Sequence, residues 1–280
     1  MPPTEVTEAT CPRCEGRGWV VTADGGAGTA RPCSCREAAR APRLLEAAGI
    51  PERYRHCKLG SFKITTGKET THHDQLLEAL RVSQRYVENF LDPSTGQFRE
   101  TGLLFTGLPG VGKSHLAVGV LCDLIQQYRV RGRFVDFSSL LHQIQATFDP
   151  SSAESKHAIL DPLIEAEVLV LDELGAQEPT AWVRDVLYLI INQRYARRLP
   201  TIFTTNYRLQ PLAAAPAASG PRSLDRGADP EPPADTTSLR SLASRISPML
   251  VSRLYEMTRP VVLDRVEDFR REVKSHRAQV

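Results

Sequence analysis

Gly107, Gly110, Gly112, Lys113 and Ser114 belong to the run Gly107-Leu-Pro-Gly-Val-Gly-Lys-Ser114, the stretch of the chain best equipped to handle phosphate. Glycines at this spacing let successive backbone N–H groups turn inward around an anion, and a helix opening at Lys113 would present its positive end to it. Lys113 would reach the β- and γ-phosphates of a nucleotide, and the Ser114 hydroxyl would ligate Mg²⁺. Val111 and His115 complete the stretch expected to touch the nucleotide. About 60 residues later, Val168-Leu-Val-Leu-Asp172-Glu173 is an apolar run ending in two carboxylates, a spacing typical of one strand–helix–strand unit. Asp172 would hold Mg²⁺, usually through water, and Glu173 would orient and deprotonate an attacking water. The alternative is an acidic pair that faces solvent. Asp followed by Glu favours hydrolysis over transfer to a small acceptor, which would need a second pocket. Asn206 closes the apolar run Thr201-Ile-Phe-Thr-Thr. A polar amide at a strand's C-terminal end could meet the γ-phosphate or the lytic water, or simply make a turn.

A second chemistry lies near the N-terminus, where Cys11-Pro-Arg-Cys14 and Cys33-Ser-Cys35 supply four of the six cysteines in two pairs 18 residues apart. The first residues carry acid and proline rather than a basic, then apolar, leader, which points to a cytoplasmic setting. Disulfides are disfavoured there, and tetrahedral Zn²⁺ wants such a thiolate set. The single residue between Cys33 and Cys35 is a tighter spacing than usual, so reduced thiols or a redox or iron site stay open as alternatives. Four thiolates leave no open coordination position, so catalysis at the metal is not expected. His56 and Cys57 could substitute for a ligand of that set but read as part of a connector, and Cys122 as a small buried helical residue.

The elements that must position these groups alternate. Leu103–Thr106, Phe134–Phe137, Val168–Leu171, Thr201–Thr205 and Pro260–Leu263 read as strands. Lys113–Arg129, Leu140–Phe148 and Thr180–Arg198 read as helices between them. Such alternation predicts an α/β fold with a parallel sheet covered by helices. Ahead of it, residues 1–40 form the cysteine module and 41–100 a helical connector. The connector has a short helix from Pro42 to Ala48 and a longer one from Asp74, its expected N-cap, to Phe90. Residues 101–280 form the nucleotide domain. Within it, 211–238 is rich in Ala, Pro, Asp and Ser and reads as a disordered insertion. A hydrophobic content of 41% and charged content of 24% suit a soluble globular chain, and no run approaches the ~20 apolar residues of a membrane span. A net charge of +2 neither demands nor excludes nucleic acid. Two local basic clusters, Arg129/Arg131/Arg133 and Arg194/Arg197/Arg198, read as solvated helix ends or as phosphate contacts.

Together GLPGVGKSHLA, VLVLDELGA, TIFTTN and VSRLYEM resemble the AAA+ ATPases of the DnaC/DnaI helicase-loader and IstB transposition-helper group, over nearly all of Thr101 to Arg270. The resemblance implies self-assembly with ATP between neighbouring subunits. Arg253, in Ser252-Arg-Leu, would then be the finger that enters the next subunit's site, with Arg245 as the alternate. Only 27 residues follow Arg253, too few for a separate helical lid. CPRCEGRGWV, RPCSCRE and LLEAAGIPERY resemble the N-terminal region of DnaC-like proteins with a cysteine module, which implies docking on a replicative helicase. Trp182 and Phe148 could stack on bases of single-stranded DNA while Thr180 touches phosphate; ordinary packing is the competing use of both aromatics. Tyr54 and Phe62 are candidates to meet the base. The function expected from all this is an Mg²⁺-dependent ATPase that loads a replicative DNA helicase onto single-stranded DNA, without a membrane role. Its rivals are an IstB-like helper that delivers a transposase, a small-metabolite kinase, and a nucleotide sensor with negligible turnover.

Overall fold

The computed structural model describes residues 11–15, 17–22, 29–64, 70–99, 102–149, 155–178, 180–209, 241–264, 266 and 268–269. The insertion expected at 211–238 lies outside them. The first elements are small. β1 (Trp19–Thr22) pairs antiparallel with β2 (Thr29–Pro32), placing Trp19 opposite Pro32, and α1 (Ser34–Ala38) and α2 (Arg40–Ala47) follow. Every residue of β2 is exposed, so that strand adds little buried apolar area to the ribbon. The sequence reading names no strands here.

α3 (Thr70–Glu88) begins four residues before the expected start. Asp74 is therefore exposed inside the helix and is not its cap. The buried stripe is Leu76, Ala79, Val82, Tyr86 and Val87, with Phe90 just beyond the last turn. Leu77 and Leu80, expected on that face, lie at its margin and are only partly buried.

From residue 102 the order is β3 (Gly102–Gly107), α4 (Lys113–Tyr128), β4 (Gly132–Asp136), α5 (Phe137–Ala146), α6 (Lys156–Glu165), β5 (Val168–Asp172), α7 (Ala181–Ala196), β6 (Thr201–Thr205), α8 (Pro248–Met257) and β7 (Arg259–Leu263). The strands form one parallel sheet in the order β4-β5-β6-β3-β7. α5 starts three residues earlier than expected because the Asp136 side chain accepts a hydrogen bond from Ser139 N at 2.7 Å and caps it there. α6 was not expected, since Pro162 stands inside it. Ser155 caps its start by accepting from Ala158 N at 3.2 Å, and one proline removes one intrahelical bond without erasing a turn already packed on the core.

Successive side chains of a strand point to opposite faces, and here both faces are covered. Leu103, Phe105, Val168 and Val170 pack with α3 and α4. Leu104, Leu169, Leu171 and Phe203 pack with the helices α5 to α8.

Three arginines of the two basic clusters take structural roles. Arg194 is fully buried and donates to the carbonyls of Leu163, Ile164, Ala166 and Pro200 and to Thr201 Oγ1. Arg131 pairs with Glu167, and Arg133 donates to the Ala47 carbonyl at 2.5 Å. Arg194 thus leaves the set of residues that could meet nucleic acid.

Candidate nucleotide site and metal centres

β3 delivers the chain into the glycine loop at the C-terminal edge of the sheet. Gly110 and Gly112 have φ of +83° and +98°, where a side chain is strained. Space forbids one as well: a Cβ on Gly112 would come within 2.8 Å of the Phe62 ring, and one on Gly110 would run into the Asp268 carboxylate. Gly112 caps α4 with no side-chain acceptor, so the first-turn N–H groups face the loop, as an anion requires. Lys113 Nζ donates to the Gly107 and Leu108 carbonyls at 2.9 and 2.7 Å, bridging the loop it would share with a phosphate.

β5 and β6 bring the carboxylates to the same edge. Ser114 Oγ donates to Asp172 Oδ1 at 2.9 Å, and Thr204 Oγ1 donates to the same oxygen at 2.5 Å. Asp172 is fully buried, and its Oδ2 has no hydrogen-bond partner among the described residues. Burial raises the Asp172 carboxyl above its ordinary range; the two hydroxyl donors oppose that and Asp136 adds to it. A hydroxyl beside a buried carboxylate with an unused oxygen is a donor set that suits a hard divalent cation, so these residues fit Mg²⁺. Glu173 follows at φ +61°, a backbone state that costs a non-glycine residue about 1–3 kcal/mol and clusters at functional sites. Its N–H donates to Thr204 Oγ1 at 3.0 Å. Burial, then Asp172 and Asp136, raise its carboxyl too. Thr204 therefore ties the two acidic residues together. The sequence reading stopped at Asn206 and missed it, because the contact with Asp172 is set by the pairing of β5 with β6.

A cavity of about 710 Å³ opens over the loop, and Tyr54, Phe62, Lys113, His115, Glu173 and Asn206 are among its walls. That size suits a nucleotide. The connector reaches it through His115, whose ring meets Phe62 edge-on at 5.2 Å and whose Nε2 donates to the Lys58 carbonyl at 3.0 Å. Burial lowers the His115 pKa, with the Lys58 carbonyl opposing and His56 assisting. On the far wall Phe269 N donates to the Gly110 carbonyl at 3.3 Å. Val111, also among the walls of the cavity, is buried.

Arg253, on α8, lies outside this cavity. Its guanidinium stands 5.0 Å from the Tyr188 ring centre and 5.7 Å from that of Tyr195, and its buried Nη1 has no partner among the described residues. Arg245 is committed elsewhere, donating to the carbonyls of Gly175, Ala176 and Gln177. Of the two arginines, Arg253 keeps the less occupied guanidinium.

Phe148 and Trp182 meet edge to face at 5.9 Å, and Phe148 is 60% exposed. Thr180 accepts a hydrogen bond from Val183 N at 3.3 Å and caps α7 beside them. The three residues expected to touch DNA therefore share one surface, although Trp182 also packs on the core below.

The four N-terminal thiols converge as their spacing predicts. Cys11 Sγ lies 3.8 Å from Cys33 Sγ, Cys14 Sγ lies 3.4 Å from Cys35 Sγ, and all four lie within 4.8 Å of one another. Four sulfurs about 2.3 Å from a tetrahedral Zn²⁺ would be about 3.8 Å apart, so the quartet fits the ion. The Arg13 backbone N–H holds the Cys11 thiol down to about 7. Cys57 is not part of the quartet: it is buried, with His56 Nε2 3.9 Å from its sulfur.

A parallel sheet, a glycine loop capping the next helix and an Asp–Glu strand end define a P-loop nucleotide-binding protein of the AAA+ class. The profile of the family described as IstB-like ATP binding protein matches residues 70–214, and the chain belongs to that family. It is 26% identical over 197 residues to the uncharacterized protein YqaM of Bacillus subtilis (strain 168), covering 69% of this chain and 59% of that protein. It is 25% identical over 187 residues to the replicative helicase loader DnaC of Escherichia coli (strain K12), covering 66% and 68%. The crystal structure of a DnaC helicase loader matches with a TM-score of 0.54 at 30% identity, covering 76% of this chain and 99% of that one. The alignment to YqaM thus spans less than two thirds of that relative. No helix among the described residues is long and apolar enough to cross a membrane.

Proposed function

We propose that this chain is an ATP-hydrolysing AAA+ protein that loads a replicative helicase onto single-stranded DNA in the cytoplasm. The observation that carries this reading is the likeness to a DnaC helicase loader at 30% identity over 99% of that chain. The nucleotide site supplies its motor. Loop N–H groups around Gly110 and Gly112 receive the phosphates, and Lys113 exchanges the Gly107 and Leu108 carbonyls for the β- and γ-phosphates. Mg²⁺ held by Ser114 and Asp172 would neutralise charge developing on the phosphate oxygens. Glu173 orients the attacking water and takes its proton; its raised pKa makes it a stronger base than a solvated carboxylate. Asn206 reads the γ-phosphate end of the cavity. Arg253 of one protomer completes the site of the next, where a finger arginine stabilises charge on the transferring group. Phe148, Thr180 and Trp182 give single-stranded DNA a stacking surface, and the zinc-held cysteine module docks on the helicase.

One observation favours a second reading: the matching profile is that of IstB-like ATP binding proteins, which suggests a transposition helper. The discriminating experiment presents the full chain, with ATP, to a replicative helicase and to a transposase, each with single-stranded and duplex DNA. Transfer of the helicase onto closed single-stranded circles is the expected outcome; target capture by the transposase alone would replace the first reading by the second. In either case Lys113→Ala should weaken ATP binding by roughly 100-fold, the worth of charge-assisted phosphate contacts. Glu173→Gln should keep ATP affinity and lose about 100-fold or more in turnover. Unchanged turnover by Glu173→Gln would remove the assigned base.

A further inference from the structure

We propose that Asp136 is a third carboxylate of the cation site, beside Asp172 and Glu173, and that the trio lets the protein take up a divalent cation before any nucleotide arrives. The proposal rests on the reading of Asp172 as a cation ligand and extends it to a residue with no other assigned chemistry. β4 and β5 are neighbours, and their register sets Asp136 directly beside Asp172 at the end where ligands gather. One oxygen from each of Asp136, Asp172 and Glu173 lies within 4.8 Å of the others. A separate observation shows that this group is incomplete. Asp172 has no exposed surface, and its Oδ2 receives no hydrogen bond among the described residues.

The ordinary explanation for Asp136 is its cap on α5, through Ser139 N at 2.7 Å. A cap needs one acceptor oxygen and no negative charge, and asparagine serves as well as aspartate there. The charge is therefore surplus to the capping bond, and it adds to the negative crowding felt by the carboxyls of Asp172 and Glu173. Lys113 lies close enough to favour both acidic partners, yet it donates to the Gly107 and Leu108 carbonyls. A divalent cation satisfies the buried oxygen and the crowded charge together. Three carboxylates and the Ser114 hydroxyl offer four hard oxygen donors, and waters would complete the shell of a divalent ion in the absence of phosphate.

The test is a titration of the nucleotide-free full chain with Mn²⁺, read by electron paramagnetic resonance of the free ion and repeated with Mg²⁺ as competitor. The wild type should bind one Mn²⁺ per chain at this site. Asp136→Asn, which keeps the helix cap and hence the melting temperature, should weaken binding by about 10- to 100-fold. Asp172→Asn should abolish it. If Asp172→Asn abolishes binding and Asp136→Asn binds as the wild type does, the inference about Asp136 fails while the cation site stands. If Asp172→Asn also binds normally, the underlying site assignment fails. A wild type that takes Mn²⁺ only when nucleotide is present overturns uptake before nucleotide.

Discussion

At the start of β6, Thr201 Oγ1 accepts a hydrogen bond from Arg194 Nε at 2.9 Å; three residues on, Thr204 Oγ1 donates one to Asp172 at 2.5 Å. The two buried charges lie at opposite ends of one sheet, and their surroundings differ. The Arg194 guanidinium reaches four carbonyls and a hydroxyl. Burial pulls its pKa down to about 9, so it is still cationic at neutral pH. Among the described residues Asp172 has two donors on one oxygen and none on the other, with two more carboxylates close by. A buried charge whose bonding capacity is filled by its own chain joins structure together. One that is half filled is a place for something else to bind, and the strained backbone at Glu173 falls at that same end.

The strongest way to break this contrast is Arg194→Met, which keeps much of the side-chain volume and removes every donor. Buried acceptors at Leu163 and Ala166 would lose the guanidinium, at about 1–3 kcal/mol each, while the Pro200 carbonyl keeps the Leu169 N–H. We expect a loss of at least about 2 kcal/mol in urea unfolding, with ATP affinity retained by the fraction that folds. A variant as stable as the wild type would show that this end of the sheet is not held by Arg194. The converse substitution is smaller in effect. Asp172→Asn removes a charge that burial and its neighbours disfavour, so thermal stability should stay the same or rise by up to about 1 kcal/mol while cation binding is lost. A clear drop in stability would mean that Asp172 serves the fold as Arg194 does.

The same contrast separates what could be read in the sequence from what could not. The glycine loop, Asp172–Glu173 and the cysteine quartet were readable because each chemistry needs particular residue types at short, fixed spacings. Thr204 and Asp136 were not, because their relation to Asp172 comes from strand order and register, and neither is a local property. Arg194 was misread for the same reason. In sequence it stands with two other arginines near a helix end, while its carbonyl cage comes from the end of α6 and the turn into β6. α6 itself was hidden by Pro162, and the start of α3 by the polar run Thr70-Thr-His-His, which carries no apolar periodicity. The sheet was largely readable, since strands covered on both faces appear as short continuous apolar runs.

A finer test concerns acid. His115 clamps the connector to the loop helix through Phe62 and the Lys58 carbonyl, and burial is the main reason its pKa is lowered. In the unfolded chain an imidazole gains its proton as the pH falls through about 6.5; in the folded protein His115 gains it only at lower pH. Between those two values unfolding takes up a proton, so stability declines as the pH drops through about 6.5 and the loss is complete below the folded value. His115→Gln retains an N–H donor for the Lys58 carbonyl and cannot titrate. Its melting temperature should therefore fall less on acidification, by no more than a few degrees relative to the wild type. Melting curves of the two proteins across the acid range give the answer, and parallel curves would remove His115 from the account. Arg194 cannot imitate the effect, because its guanidinium stays cationic throughout the acid range. An acid-sensitive difference would therefore place the sheet's labile chemistry at the cavity end.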